Sequence, residues 1–339
     1  MPKGYKVKQI PEDFVVKENS NVKLVAKGGY SVFRLKKKNY TTEKAVQQIA
    51  DSLRIDRKRM GYAGSKDSKA VTEQLISIKG ISREKAEALK LKDIELFFAG
   101  YANNPISLGD LEGNSFEIVV RNISKKPKKI SRIVNYFGEQ RFSKNNAEIG
   151  KAIIKKDFKK AVDRILDSIG ENEKKIIAHL EKNRNDFVGA LKLMPWKTLN
   201  MYIHAYQSKL WNETVKLLLK DSTTLNSGAI KSKTKVDNNE KIKLPLIGFA
   251  TEIQDNDVKR IVEKILQNED VIKNDFVIRA IPELSGAGGE RELFVEIKGL
   301  KIGELEDDEL NKGKKKVRIS FSLGKGSYAT EVVKEMFSN

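Results

Sequence analysis

The hydrophobic pattern of this chain changes character twice along its length, and that change limits the folds open to it. Short strand-like segments occupy residues 1–35, 72–79, 93–101 and 116–121, whereas residues 145–270 carry one helical pattern after another. Strand patterns return near 275–281, 293–298 and 316–323, and a last helix follows them. A chain of 339 residues is long enough for about two domains. The pattern therefore predicts an α+β domain that is interrupted by a mostly helical insertion.

Four segments make more local predictions. Thr41 or Thr42 is expected to cap a helix, because apolar residues recur at helical spacing from Ala45 to Leu53. Apolar residues between Ile130 and Phe137 predict a second helix that ends at Gly138. A long helix is expected from about 198 to 220, and the polar stretch 221–241 predicts a mobile loop.

Composition excludes several kinds of site. The chain has no Cys, which rules out a disulfide scaffold, a Cys-ligated zinc site, an iron–sulfur centre and a thiol nucleophile. Its two His residues, His179 and His204, lie far apart in predicted helices with no carboxylate at metal-binding spacing. The glycine-rich segments 285–289 and 323–327 lack the spacing of a phosphate-binding loop. We therefore expect neither a metal nor a nucleotide cofactor.

The sequence also bears on where the protein works. No segment resembles a signal peptide, and no run of 18 apolar residues is present. We therefore expect a cytoplasmic protein that is neither secreted nor inserted in a membrane.

Positive charge is the first indication of a partner. The chain holds 65 Lys and Arg against 46 Asp and Glu, a formal net charge of +19, and residues 1–70 carry just over half of this excess. One interpretation is an ordinary solvated lysine-rich surface; the other, which the size of the excess favours, is a nucleic-acid-binding protein. The basic side chains expected to contact RNA are Lys36, Lys37, Lys38, Arg57, Lys58, Arg59 and Lys69.

One short segment places a carboxylate among lysines. In residues 62–74 two small residues, Ala63 and Gly64, precede Asp67, which lies between Lys66 and Lys69. Nearby positive charge keeps an Asp ionised, and an ionised carboxylate in a basic groove can act as a nucleophile or a base. Composition alone favours a simpler interpretation, a solvated turn.

The order of residue types in this segment favours the functional interpretation. Ala-Gly-x-Lys-Asp-x-x-Ala-Val-Thr-x-Gln at 63–74 resembles the active-site segment of the TruD family of tRNA pseudouridine synthases. Further segments resemble the same family in the same order along the chain. They are Lys-x-x-Pro-Glu-Asp-Phe at 8–14, Gly-Asn-x-Phe at 113–116, Asn-Tyr-Phe-Gly-x-Gln-Arg-Phe at 135–142, Ala-Tyr-Gln-Ser at 205–208 and residues 321–330. The resemblance covers essentially the whole chain and leaves open an archaeal or eukaryotic-like branch.

The resemblance implies a fold and a reaction. The fold is a pseudouridine-synthase-like catalytic domain with a mixed or antiparallel sheet at 1–149 and 286–339, and a TRUD insertion domain at 150–285. The reaction is isomerisation of a uridine, by family at position 13 of tRNA, to pseudouridine, with no metal or organic cofactor. A catalytically silent RNA-binding protein or RNA chaperone on the same fold is the alternative. Other RNA targets and the oligomeric state stay open.

Residue roles follow from the same resemblance. Asp67 matches the family's catalytic Asp, and whether it attacks the sugar, attacks the base or takes a sugar proton is left open. Because the target base must leave its stack to reach this carboxylate, Phe116 is expected to stack on the flipped uracil, with a core position as the alternative. The residues expected to support the site are Lys8, which would keep Asp67 ionised, together with Lys66, Asn114 and Arg141.

Overall fold

The computed structural model describes residues 4–167, 170–224 and 242–338, and the chain divides into two compact units. The first unit comprises Met1–Ile133 and Val295–Asn339, and the second comprises Val134–Phe294. The boundaries expected from the sequence, after residue 149 and before residue 286, therefore fall inside the second unit. Helical periodicity starts only at Asn146, whereas Val134 and Phe137 already pack on the second unit's core.

The described residues form twelve strands and nine α-helices. The strands are β1 Phe14–Ser20, β2 Tyr30–Lys38, β3 Met60–Tyr62, β4 Val71–Lys79, β5 Ile94–Ala102, β6 Leu111–Ile123, β7 Arg132–Val134, β8 Lys243–Leu246, β9 Gly289–Glu292, β10 Phe294–Glu296, β11 Lys298–Asp307 and β12 Lys315–Gly324. The helices are α1 Thr42–Leu53, α2 Arg83–Glu87, α3 Asn146–Ile154, α4 Phe158–Leu166, α5 Glu171–Lys182, α6 Phe187–Lys192, α7 Trp196–Thr224, α8 Asn256–Asn268 and α9 Ala329–Met336.

One large sheet carries the first unit. Its strand order is β11-β12-β6-β1-β4-β2-β5, and β3 pairs with β4 beside this path. The β1–β4 ladder is parallel and the other ladders are antiparallel, so the sheet is mixed, which is one of the two forms that the family resemblance implied. The first and the last strands of the chain thus meet through β6, which pairs with both β1 and β12.

The inward face of β4 changes from apolar to polar along its length. Ile78 and Ile76 are fully buried in a cluster with residues of α1, whereas Gln74 and Thr72 continue the same face toward the segment that carries Asp67. Helix α1 begins where the sequence predicts, because the Thr41 hydroxyl accepts the main-chain N–H of Lys44. The core therefore ends next to a buried polar strip.

Helices dominate the second unit. They surround a core that includes Tyr206 and Trp211 of α7 together with Phe276, and β8 pairs with β9. The long helix expected near 198–220 is α7, which extends to Thr224. The predicted loop at 221–241 thus begins inside this helix, and residues 225–241 lie outside the described part of the chain. Within the described residues, no helix is both long enough and apolar enough to cross a membrane.

Two secondary-structure predictions are wrong. Residues 130–138 form strand β7 and a loop rather than a helix, because Ile133 packs on a core of the first unit and Phe137 on that of the second. Residues 275–281 form no strand: a short 3-10 turn at Lys273–Phe276 leads into irregular chain. Phe276 and Ile278 are both buried in this irregular segment. Their alternation with more exposed residues is the sequence pattern that was interpreted as a strand.

A buried ion cluster ties the N-terminal segment to β6 and to the loop after β11. Arg121 donates from Nε to Asp13 at 2.8 Å and from Nη1 to Asp308 at 3.0 Å, and all three side chains are almost fully buried. Burial by itself raises the pKa of Asp308, but hydrogen bonds from the Asn122 main chain, Asn311 and Arg121 outweigh it and lower the pKa to about 2. Asp13 of the Pro-Glu-Asp-Phe segment therefore stabilises the fold.

Asp308→Asn should destabilise the first unit at neutral pH. The change removes the charge that accepts hydrogen bonds from Arg121, Asn311 and the Asn122 main chain, whereas Arg121 keeps its bond to Asp13. The loss of hydrogen bonds to a charged group costs about 1.5–3 kcal/mol. Since the folded pKa of Asp308 lies below its ordinary value of 3.8, the contribution is present above about pH 4 and is lost as the pH falls toward 2. The difference in urea unfolding between wild type and variant should thus be largest at pH 7 and should shrink progressively as the pH falls through 3 toward 2. Equal midpoints at pH 7 would contradict the assignment.

Candidate active site

Asp67 and Lys8 form an ion pair at one end of the sheet. The Lys8 ammonium donates to Asp67 Oδ2, and about a quarter of the Asp67 side chain is exposed. Lys8 has a φ of 57°, in the left-handed region that side chains other than glycine rarely adopt, and its ammonium lies 4.0 Å from the centre of the Phe14 ring. The local backbone thus directs a lysine from the N-terminal segment onto a carboxylate that a ligand can reach.

Buried side chains hold the main chain that precedes Asp67. The Thr42 hydroxyl accepts the N–H of Lys66 at 2.8 Å and donates to the Gln74 amide oxygen at 2.9 Å. The amide nitrogen of Gln74 in turn donates to the carbonyl oxygen of Gly64 at 2.9 Å. Thr42 and Gln74 are almost completely buried, so α1 and β4 hold this loop from its buried side.

Lys37 is buried under the same loop, which corrects its expected place on an RNA-binding surface. Its ammonium donates to the main-chain oxygen of Asp67 at 2.9 Å and to that of Tyr40, and only 1% of the residue is exposed. Burial lowers the pKa of Lys37 to about 8, although the charge of Asp67 acts in the opposite direction. The position follows from alternation along β2, where Phe33, Leu35 and Lys37 share the inward face.

Lys66 is also buried, and Glu18 of β1 is its partner. The Lys66 ammonium forms an ion pair with Glu18 Oε2, and the two side chains are 6% and 1% exposed. Burial raises the pKa of Glu18, and the charge of Lys66 opposes that shift. The sequence analysis did not single out Glu18, yet Phe14, Val16 and Glu18 alternate toward one face of β1, which was the available signal.

Phe116 and Asn114 lie on β6, on the same sheet face as Glu18. The Phe116 ring lies 6.1 Å from Phe14 and 5.5 Å from Phe321 between ring centres, and the residue is 9% exposed. Asn114 stands opposite Glu18 in the β1–β6 ladder, and its buried Oδ1 has no hydrogen-bond partner. Phe116 is thus a fixed member of an aromatic cluster, with little of its ring open to a ligand.

Arg141 belongs to the second unit and has its described contacts there. Its Nε donates to Ser208 Oγ at 3.4 Å, and its guanidinium lies 5.9 Å from the centre of the Phe137 ring. Arg291 donates to the Asn135 side chain at 2.7 Å and lies 3.9 Å from the Phe137 ring centre. The segment 135–142 therefore organises the second unit's own packing.

The remaining predicted RNA contacts fall into two groups at opposite ends of β2. Lys36 and Lys38 lie near the end that carries Asp67, where they pair with Glu95 and Glu12. At the other end, a cleft of about 340 Å³ is lined by seven residues: Tyr30, Asp56, Lys58, Arg59, Met60, Lys79 and Pro105. Eight residue steps separate Tyr30 from Lys38, a distance of about 27 Å along the strand.

The partners of the exposed and half-buried basic residues differ. Arg57 makes a two-pronged contact with Glu43 at 2.9 Å for each bond, and Arg59 donates to main-chain oxygens at Lys79 and Gly80. Lys58 and Lys69 are exposed. These two lysines are thus the members of the set whose ammonium groups are best placed to meet phosphate in solvent.

The chemistry open to this arrangement follows from one reachable carboxylate among basic groups. Lys8 neutralises the side chain of Asp67, while Lys37 and Thr42 fix the chain on either side of it. An ionised carboxylate in such a position can attack an electrophilic carbon or accept a proton.

The chain is similar to known proteins over nearly its whole length. The family model described as tRNA pseudouridine synthase D (TruD) matches residues 2–175, 167–231 and 228–336. A probable tRNA pseudouridine synthase D of Methanosarcina barkeri is 30% identical, with 98% of this chain and 93% of that protein covered. The tRNA pseudouridine synthase D of Aquifex aeolicus is 29% identical, with 98% of each chain covered.

A solved structure gives the same result for the fold. The crystal structure of a putative tRNA pseudouridine synthase D (TruD) from Methanosarcina mazei is similar to this chain with a TM-score of 0.73 and 28% identity. The match covers 99% of this chain and 94% of that one. The chain therefore belongs to the TruD family of tRNA pseudouridine synthases, a family of isomerases.

Proposed function

We propose that this chain isomerises a uridine of tRNA to pseudouridine and that Asp67 is its catalytic residue. In this reaction the bond between uracil N1 and the ribose breaks, the base turns, and its C5 joins the ribose. C5 loses a proton and N1 gains one, so the atoms balance without an oxidant or a reductant. Each role open to Asp67, attack on the sugar, attack on the base or removal of a sugar proton, needs an ionised carboxylate.

One observation carries the proposal for Asp67. Its carboxylate is paired with Lys8 and still partly exposed, while Lys37 holds its main-chain oxygen from the buried side. A carboxylate that serves only to stabilise a fold has no need to be reachable, and Asp13 and Asp308 of this chain illustrate that case because both are enclosed. The partial exposure of the Asp67 carboxylate, its charged partner and its fixed main chain together support a catalytic role.

Access to Asp67 requires the target uridine to leave its stack, and we include base flipping in the proposal. Phe116 is the proposed flat wall against which the uracil lies. Its contacts with Phe14 and Phe321 hold the ring in one orientation, so the small part of the ring that stays exposed is a rigid apolar contact for the base. Lys58 and Lys69 are the proposed phosphate contacts.

Asp67→Asn should abolish pseudouridine formation while tRNA binding stays within a fewfold of wild type. The change removes the negative charge and almost no volume. Unmodified tRNA transcripts incubated with each protein, followed by mapping of pseudouridine at nucleotide resolution, give the measurement and show whether position 13 is the target. Asp51→Asn, an exposed change on α1, is the matched control and should leave turnover unaltered.

Two results would contradict this assignment. Turnover by Asp67→Asn above a trace would remove Asp67 from the chemistry. Tight tRNA binding by the wild type with no pseudouridine at any position would instead favour the RNA-binding or chaperone alternative on the same fold.

Phe116→Leu should reduce the free energy with which the enzyme binds the transition state by about 1–3 kcal/mol, the range for a lost contact between a base and an aromatic ring. Leucine keeps most of the apolar volume in the core, which Ala would not. Steady-state kinetics on tRNA transcripts measure the effect as kcat/KM. Phe33→Leu, at a fully buried position in the α1 core, is the control for a loss of packing. Equal losses of stability in both variants, with full activity in both, would assign Phe116 to the core alone.

Lys58→Gln and Lys69→Gln should each lower tRNA affinity and reduce the slope of log K against log salt by about one unit. Filter binding at several salt concentrations measures both quantities. Lys90→Gln, at an exposed lysine outside the predicted set, should change neither. A salt slope that stays at the wild-type value in both test variants would show that these lysines do not contact phosphate.

A further inference from the structure

The ion pair between Glu18 and Lys66 has a position that fold stability alone does not explain. Both side chains are more than nine-tenths buried, and removal of two charges from water costs several kcal/mol per ion. Apolar residues of similar volume at such buried positions often give the folded protein equal or greater stability. The pair lies beside the residue proposed to be catalytic, since Lys66 is the neighbour of Asp67 in the chain.

Lys66 ties the Asp67 loop to the sheet through its side chain. Its main-chain N–H is bound by Thr42 of α1, and its ammonium is bound by Glu18 of β1. These two anchors come from different elements of the first unit, so together they fix both the place and the direction of this residue. A shift of Lys66 would move Asp67, because consecutive Cα atoms are about 3.8 Å apart and joined by a planar peptide.

Glu18 is held in turn by the sheet. It lies within the seven-residue strand β1, which pairs with β4 on one side and with β6 on the other, where Glu18 stands opposite Asn114. Its Oε1 is buried and has no hydrogen-bond partner. The carboxylate therefore depends on Lys66 for an opposite charge, with the Leu75 main chain as a further hydrogen-bond partner, and the strand that carries it is held between two neighbouring strands.

We propose that Glu18 is a positioning residue: by holding the Lys66 ammonium in the sheet, it sets where the Asp67 carboxylate stands. The inference rests on the proposed function, because it assigns Glu18 an effect through Asp67. Lys66, predicted above as a supporting residue, acts through this anchor. Direct contact with an RNA phosphate is not its role, because its side chain is enclosed.

Three variants test the proposal: Glu18→Gln, Lys66→Met and the double variant with both changes. Each replacement is nearly isosteric, and the double variant leaves neither charge buried without a partner. Steady-state kcat and KM and the tRNA affinity are measured for each, together with urea unfolding. We expect kcat to fall about 10- to 100-fold in each single variant, the scale expected for a small displacement of a reacting group, while KM changes little.

The double variant separates positioning from stability. We expect it to unfold closer to the wild-type midpoint than either single variant, because no charge is left uncompensated, and to keep the low kcat of the single variants. Asp308→Asn is the control for a loss of stability elsewhere in the first unit, and it should leave the kcat of folded enzyme unchanged. A wild-type kcat in the double variant would overturn the proposal.

The outcome for Glu18 is distinguishable from that for Asp67. If Asp67→Asn is inactive while the double variant turns over at the wild-type rate, the catalytic assignment stands and the positioning role is wrong. If Asp67→Asn is active, the catalytic assignment of Asp67 fails, and the positioning role fails with it whatever the Glu18 variants do.

Discussion

The buried polar strip at one end of β4 is the constraint on which the site depends. Two isoleucines on the inward face of this strand close the core under α1, and the next two inward positions are Gln74 and Thr72. Burial of an amide costs free energy unless its hydrogen bonds are made, and Gln74 makes them with Thr42 and with Gly64. The core thus turns into a scaffold for a loop at the place where apolar side chains give way to hydrogen-bonding ones.

Much of this organisation could be predicted from the sequence, and the limits are physical. Strand and helix patterns located most elements of the first unit because its strands have one buried face, which produces a clear alternation. Lys37 shows the limit of composition: it lies in a run of three lysines, and only its phase relative to Phe33 and Leu35 distinguishes it from Lys36 and Lys38. Glu18 was missed for a related reason, since its partner Lys66 is 48 residues away and pairing of strands brings them together.

The segment 135–142 shows a different limit. Its sequence motif is among the most specific in the chain, yet its contacts are with Arg291 and Asn212. Both residues are distant in the sequence, so no local pattern predicts these contacts. The false helix at 130–138 has the same origin, because apolar residues that belong to two separate cores can mimic the spacing of one helical face. The specific sequence motifs therefore identified the family, whereas the contacts of each residue could be assigned only from the folded structure.

The strand order of the first unit has a consequence for synthesis of the protein. Strand β6 pairs with β12, which begins at Lys315, so a growing chain exposes one edge of β6 until β12 has been made. At about 5–20 residues per second, the interval between the end of β6 and the start of β12 is roughly 10–40 s. An unpaired strand edge is a template for association with other chains. The ribosome makes the whole second unit during this interval, and the nascent first unit has to remain soluble while its sheet is incomplete.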